Sequence, residues 1–380
     1  MKKAFFADKV FLENEVREKV YVTVENAKFL GVSSEKPEGA QVIDYSGKWL
    51  APGLVDTHIH GLVNYDVMDN DVEGLKRMSQ GLLKAGVTSF LPTTLTSAVE
   101  DLNNTIENIG KHHAEVDGAR IQGIFIEGPF FTEKYKGAQN PKYFMPPNSE
   151  ILKGWVTRAN GLQVKIAIAP EHVGTAEFVQ EAVKDGVIIA LAHSDAKYHE
   201  ATQAVENGAS IFIHTYNGMS GLHHREPGMV GAAMSLNQYA EIICDWHHVH
   251  PVSSKILMDA VGREKIVMIS DSMKAAMMED GTYNLGEFEV KVGEGMARLL
   301  DGTLAGSILL LKDALKNVVD KGLATPEQAI KMASLNPAKS AKIDHMCGKI
   351  KAGYHADFIV LSPEMEWEAT YLGGEKKAQR

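Results

Sequence analysis

Two histidines one residue apart close an apolar run in the segment Gly53-Leu54-Val55-Asp56-Thr57-His58-Ile59-His60-Gly61. In an extended strand, residues i and i+2 project to the same side. Both imidazoles therefore reach one point at the strand's end, before the turn at Gly61, where a metal ion could bind. Taken alone, a His-x-His pair is as readily two ordinary, partly buried histidines. The pattern gains weight because metal-competent groups recur where later apolar runs end. Glu127 follows Ile121–Ile126, His193 follows Val187–Ala192 and His214 follows Ser210–Ile213. Asp245, His247 and His248 follow Glu241–Cys244, and Asp271 follows Ile266–Ile269. Any one of these could cap a helix or sit in a solvated loop; their concurrence at separate strand ends is hard to obtain by accident. Glu171 and His172, after Val164–Ala169, fit either reading and carry no assigned role. His112, His113, His223 and His345 read as surface residues.

Histidine and carboxylate ligands without cysteine suit Zn²⁺, Fe²⁺, Mn²⁺ or Co²⁺ rather than a cysteine-built structural zinc site. His58, His60, His193 and His214, with Glu127 and Asp271, are enough for two ions. Such ions lower the pKa of a bound water toward ~7. A carboxylate such as Asp271 beside that water can take its proton and return it to a leaving group. The chemistry implied is metal-assisted hydrolysis of an amide or ester.

The elements that must position these groups are legible as alternation. The eight apolar runs are Leu54–Ile59, Thr88–Leu91, Ile121–Ile126, Val164–Ala169, Val187–Ala192, Ser210–Ile213, Glu241–Cys244 and Ile266–Ile269. Helix-like stretches such as Asp71–Ala85, Ala98–His113, Thr175–Asp185, Tyr198–Asn207 and Pro251–Gly262 separate them. This order predicts an α/β fold, a (β/α)8 TIM-like barrel with its chemistry at the C-terminal ends of the strands. The alternative, an open doubly wound sheet, lacks a Gly-x-Gly-x-x-Gly after its first strand. Gly281–Gly302 reads as an inserted β-hairpin, and Ser307–Gly322 and Thr325–Asn336 as helices packed outside. Short strands near both ends of the chain predict a small β-sandwich domain made of residues 1–52 and 345–380, with the barrel over 53–344.

The bulk properties narrow the classes. The 380 residues carry a net charge of −10, which favours solubility and argues against nucleic-acid binding. No run of ~18 apolar residues is present to span a membrane. The start, Met1 to Ala7, resembles a leader peptide only until Asp8 and Lys9 interrupt it. Cys244 and Cys347 have no metal-type spacing and imply no disulfide framework, which together with the interrupted leader favours the cytoplasm.

Several longer segments carry a family resemblance. They are Ala51-Pro52-Gly53-Leu54-Val55-Asp56, Glu127-Gly128-Pro129-Phe130, Ala192-His193-Ser194-Asp195-Ala196, His214-Thr215-Tyr216-Asn217-Gly218-Met219 and Arg225-Glu226-Pro227-Gly228. Asp245 through Val249, Ser270-Asp271 and Asp301 through Ser307 complete the set. Over nearly the whole chain these resemble the amidohydrolase superfamily and, within it, the N-acetylglucosamine-6-phosphate deacetylase family. The resemblance implies an enzyme that hydrolyses an amino-sugar phosphate, N-acetyl-D-glucosamine 6-phosphate, to D-glucosamine 6-phosphate and acetate. It implies that Glu127, His193 and His214 hold a principal divalent metal, Zn²⁺ or Fe²⁺ first and Mn²⁺ or Co²⁺ as alternatives. Glu127 could bridge to a second ion on His58 and His60. Asp271 would be the catalytic acid/base and a metal neighbour, and His248 would contact the sugar and support the acetamide. Asn217 and Gly218 would contact the phosphate, with Ala138, Gln139 and Leu304 completing the substrate site. Arg225 would reach the phosphate across a homodimer; a salt bridge to Glu226 is its structural alternative.

Two departures bear on substrate range. Gln139 stands where some family members carry histidine, and an amide donates a hydrogen bond but carries no charge. Trp246-His247 is bulkier than the small pair expected before His248. The galactosamine epimer, N-acetylgalactosamine 6-phosphate, is the near alternative substrate. More distant readings are an amidohydrolase for cyclic amides or N-acyl amino acids, and an inert scaffold, which would be expected to lose ligands that this chain keeps.

Overall fold

The computed structural model describes all 380 residues. Eight parallel strands run in chain order: Leu54–Ile59, Val87–Thr94, Gly123–Glu127, Gln163–Ile168, Ile188–Leu191, Ile211–Phe212, Tyr239–Ile243 and Ile266–Ile269. The eighth returns to the first: Asp271 N donates to His58 O and His60 N donates to Ser272 O, both at 2.9 Å. Most of the strands are near-continuous apolar runs because helices cover their outer face and packed side chains fill the inner one.

The outer ring has eight helices: Val72–Lys84, Val99–His112, Ser149–Arg158, Thr175–Lys184, Tyr198–Glu206, Gly228–Ser235, Pro251–Val261 and Leu311–Asp320. Sequence periodicity leaves out two of them for identifiable reasons. Ser149–Arg158 buries only Leu152 and Trp155, while Gly228–Ser235 buries six of its eight residues and so has no polar face to reveal a period. Leu311–Asp320 belongs to the ring itself. The helix Leu335–Ser340 plugs the opposite end of the barrel, where Ala338 and Ala341 join the inward-facing Val55, Leu91 and Phe125 in one apolar cluster.

The insertion after the eighth strand has three antiparallel strands, Gly281–Leu285, Phe288–Gly293 and Met296–Leu299, and is thus larger than the hairpin expected. A second tight turn at Glu294-Gly295 adds the third strand. Its Leu285, Val290 and Ala297 pack on Leu95 and Met273, which seats it beside the rim.

The terminal segments form one seven-stranded sheet, from Lys3–Phe11, Val16–Glu25, Lys28–Ser33, Gln41–Pro52, Phe358–Leu361, Trp367–Leu372 and Glu375–Gln379. It curls over its own core. Phe5 lies 4.9 Å from Phe358 and 5.1 Å from Tyr371, ring centre to ring centre, although Tyr371 is three strands away. The long strand Gln41–Pro52 runs into the first barrel strand through Gly53, where a Cβ would stand 2.0 Å from Thr88 Oγ1. That close approach fixes the register in which the His58 strand enters the barrel. No helix is long and apolar enough to cross a membrane.

Candidate metal centre and active site

Residues from five strand ends converge on one carboxylate. His58, His60 and Asp271 form one compact group of potential ligands, and Glu127, His193 and His214 form another, each group's atoms lying within 4.8 Å of one another. Around Glu127, the Nε2 atoms stand at 3.1 Å for His60, 3.2 Å for His214, 3.4 Å for His193 and 3.5 Å for His58. Asp271 Oδ1 lies 3.3 Å from His60 and 3.4 Å from His58. All six residues are buried.

Local backbone strain aims several of these groups. His193, His214 and Asp271 have φ of 43°, 29° and 50°, the left-handed region that non-glycine residues seldom occupy. Each such residue costs about 1–3 kcal/mol and persists where its surroundings dictate the geometry. Gly218 shows the crowding: its φ is 60°, and a Cβ there would meet His193 Nδ1 at 2.8 Å.

The far side of each ring explains its orientation. His193 Nδ1 lies 3.0 Å from Tyr135 O, His214 Nδ1 3.0 Å from Asn217 O, and His58 Nδ1 3.0 Å from a Glu241 carboxylate oxygen. In the neutral ring, the form that binds a metal, an acceptor at Nδ1 places the single proton there and leaves Nε2 as a lone pair. His193 Nε2 and His214 Nε2 are then two lone pairs 3.2 Å apart, and buried His58 Nε2 has no hydrogen-bond partner. Facing lone pairs around a carboxylate are the arrangement a divalent cation satisfies, and acceptor-held histidines are its usual support. The residues present therefore fit one or two divalent ions.

Charge coupling within the cluster is strong. Burial opposes protonation of His58, yet the carboxylates of Asp271 and Glu127 raise it to about 9. Burial would raise Asp271, but the charges of His58 and His60 bring it down to about 2. Glu127 is likewise held well below the carboxylate range, the surrounding histidines overcoming its burial.

Above the cluster opens a cavity of about 250 Å³. His60, Glu127, His193, His214 and Asp271 form its floor, and Ala138, Gln139, Asn217, Gly218, His248 and Leu304 line it as the sequence reading expects. His58 lies beneath the floor, with no exposure. Besides His58, Arg225 is the one expected site residue that does not line the cavity of its own chain. It is exposed and makes no ion pair with Glu226, whose Oε1 instead accepts from Tyr198 N. A neighbouring cavity of about 310 Å³ shares the Leu95 and Ala138 walls but contains no residue of either ligand group. Leu95, Leu285 and Thr303, with Gly137 and Gly306, complete the cavity; Leu95 follows the second barrel strand and Leu285 ends the first strand of the insertion, neither with a local signal of function.

Several ambiguous residues acquire definite contacts. Gln139 is buried, donates from Nε2 to Glu127 Oε2 at 2.7 Å and accepts from Thr96 N at 3.0 Å. His248 Nδ1 lies 2.6 Å from Asp245 Oδ2, and Asp245 Oδ1 accepts from the backbone of His247 and His248. Trp246 packs against the main apolar core and His247 is exposed, so neither narrows the cavity. Glu171 accepts from the hydroxyls of Thr132 and Ser194 and from Asp195 N, anchoring the loop that carries His193. His172 Nε2 lies 3.1 Å from Phe131 O. Glu241, which the sequence reading treats only as the start of an apolar run, stands behind His58 as a buried carboxylate. Its signal was present, since a carboxylate in a strand buried on both faces needs a partner.

Comparison with known proteins follows the same lines. The model of the amidohydrolase family matches residues 49–377. The chain is 37% identical over 375 residues to the N-acetylglucosamine-6-phosphate deacetylase of Vibrio furnissii, covering 97% of this chain and 94% of that one. It is 34% identical over 346 residues to the N-acetylgalactosamine-6-phosphate deacetylase of Escherichia coli O157:H7, covering 90% and 92%. The solved structure of N-acetylglucosamine-6-phosphate deacetylase from Pasteurella multocida matches with a TM-score of 0.94 at 27% identity, over 100% of both chains.

Proposed function

Because this chain belongs to the amidohydrolase family, we propose that it hydrolyses N-acetyl-D-glucosamine 6-phosphate to D-glucosamine 6-phosphate and acetate. The observation that carries this reading is the convergence of two three-ligand groups on the floor of one cavity, with Asp271 shared between floor and ligand set. The Vibrio furnissii and Pasteurella multocida relatives are deacetylases of this sugar phosphate, which supplies the substrate class.

Glu127, His193 and His214 would hold one divalent ion, and His58, His60 and Asp271 a second. When bound, such ions polarise the amide carbonyl and acidify a water; Zn²⁺ or Fe²⁺ heads the choices, with Mn²⁺ and Co²⁺ suited to the same donors. Asp271 accepts the proton of the attacking water and later delivers it to the departing amine. His248, oriented by Asp245, faces the cavity to steady the developing oxyanion and the sugar. Gln139 steadies Glu127 with one amide proton and has a second available for substrate. Asn217 and Gly218 receive the phosphate, while Ala138 and Leu304 shape the sugar's wall. Arg225 of a second copy in a homodimer would clamp the phosphate, because its guanidinium suits bidentate recognition and has no carboxylate partner in its own chain. We take residues 1–52 and 345–380 as the small domain. Buried, unpaired Cys244 and Cys347 support a cytoplasmic setting.

The test is acetate release by metal-quantified protein on three compounds: N-acetylglucosamine 6-phosphate, its galactosamine epimer and unphosphorylated N-acetylglucosamine. Preference for the first is expected. A faster reaction on the epimer moves the assignment to the galactosamine activity, and equal rates on the unphosphorylated sugar remove the phosphate site.

A further inference from the structure

Interiors of such barrels are filled by layers of apolar side chains. Here the layer beneath the ligand cluster contains an ion pair. Lys165, on the fourth strand, and Glu241, on the seventh, have no exposed surface and pair with each other through Lys165 Nζ and Glu241 Oε1. The other carboxylate oxygen, Oε2, accepts from His58 Nδ1 at 3.0 Å. Lys165 Nζ also donates to Thr57 O at 3.4 Å and stands 3.9 Å from the centre of the Phe125 ring. That same ring meets the His58 imidazole edge-on, centres 4.8 Å apart. Side chains from the third, fourth and seventh strands thus enclose the back of one histidine. Asp56, a further buried carboxylate on the same strand as His58, accepts from the backbone N–H groups of His58 and Ser270 and leaves the back of the imidazole to Glu241.

Burying two charges is costly, and a well-packed apolar pair usually serves a core at least as well. Packing alone therefore does not account for Lys165 and Glu241. We propose that they are positioning residues for the ion held by His58, His60 and Asp271: Glu241 accepts a hydrogen bond from His58 Nδ1–H, turning its Nε2 lone pair to the centre, and Lys165 supplies the counter-charge that keeps Glu241 aimed there. The inference rests on the metal-dependent reading above. It is selective, because His193 and His214 are held by backbone carbonyls and owe nothing to this pair.

The experiment titrates metal-free protein with Co²⁺, following its visible absorption and the stoichiometry. Two equivalents are expected for the wild type. Glu241→Gln should keep the first affinity and weaken the second by about 10–100-fold. A lysine left unpaired in the core can itself unfold the chain, so the neutral double variant K165M/E241Q is titrated alongside. It should fold, keep the first equivalent and still lose the second. A wild-type second affinity in the folded double variant overturns the proposal, as does equal weakening of both equivalents. Nitrogen NMR of the ion-loaded wild type is a second measurement that needs no variant: a proton on His58 Nδ1 with Nε2 unprotonated is expected, and the reverse arrangement overturns the assignment. A wild type that binds no Co²⁺ overturns the metal-dependent reading itself, a result distinct from failure of the positioning pair.

Discussion

His193 and His214 donate their Nδ1 protons to the backbone carbonyls of Tyr135 and Asn217, whereas His58 donates to a side chain, Glu241, and His60 Nδ1 has no partner. The two ligand groups share Glu127's neighbourhood yet are built differently. The two histidines of the first are fixed by loop backbone in strained, left-handed conformations at the strand ends. In the second, His58 sits in extended strand and depends on a charged side chain reaching across the barrel, while Asp271 alone takes the left-handed conformation. The difference teaches that a ligand can be aimed locally, by chain conformation, or from afar, by a buried partner. The locally aimed group should be the harder to displace and the more essential.

The most severe test of that contrast is to strike each group once. His214→Gln should bring acetate release to background, while His60→Gln should leave measurable turnover and one bound equivalent of metal. Equal loss from both would erase the distinction, and paired metal analysis and acetate assays decide it. Asp271→Asn should lower kcat by about 10²–10⁴, the range of a lost general acid/base, while the Glu127, His193 and His214 group keeps its ion. Near-normal turnover would remove Asp271 from its role.

Arg225 lies outside both groups and should behave differently from either. Arg225→Ala is expected to raise KM for the phosphorylated sugar by about 10–100-fold, the worth of a charge-assisted contact of roughly 1.5–3 kcal/mol. Its kcat should change little, since phosphate binding is uniform through the reaction. Steady-state kinetics read the split.

The smallest effect concerns stability. His58 is raised from 6.5 to about 9 by Asp271 and Glu127. A raised pKa means the folded state holds its proton more tightly than the unfolded chain. That contribution is full below pH 6.5 and is lost as pH rises through about 9. Metal-free protein should therefore lose a few degrees of Tm across this window. Ion-loaded protein should lose no such contribution, because binding has already displaced the proton. Parallel calorimetric scans with and without added Zn²⁺ test the sign.

Much of the fold was legible because its signals are local. Eight apolar runs gave eight strands, and polar residues at their ends marked the rim where the candidate ligand groups gather. The helices Ser149–Arg158 and Gly228–Ser235 escaped because one buries too little and the other too much to show a period. The terminal strands could be assigned to one small domain, but the curl that brings Phe5 against Tyr371 depends on pairings between opposite ends of the chain.

By itself the sequence determined the ligand types, their places at strand ends and the barrel that gathers them, since strand alternation and strand termination are properties of short segments. Only the tertiary structure decided what stands behind each ligand. His58 and Glu241 are 183 residues apart, and Lys165 and Glu241 are 76 apart. Lys165 and Glu241 each interrupt an apolar run, and within the run nothing tells which charge will answer which. That choice follows from which strands face one another across the barrel axis, where exclusion of water makes an unpartnered charge too costly to keep.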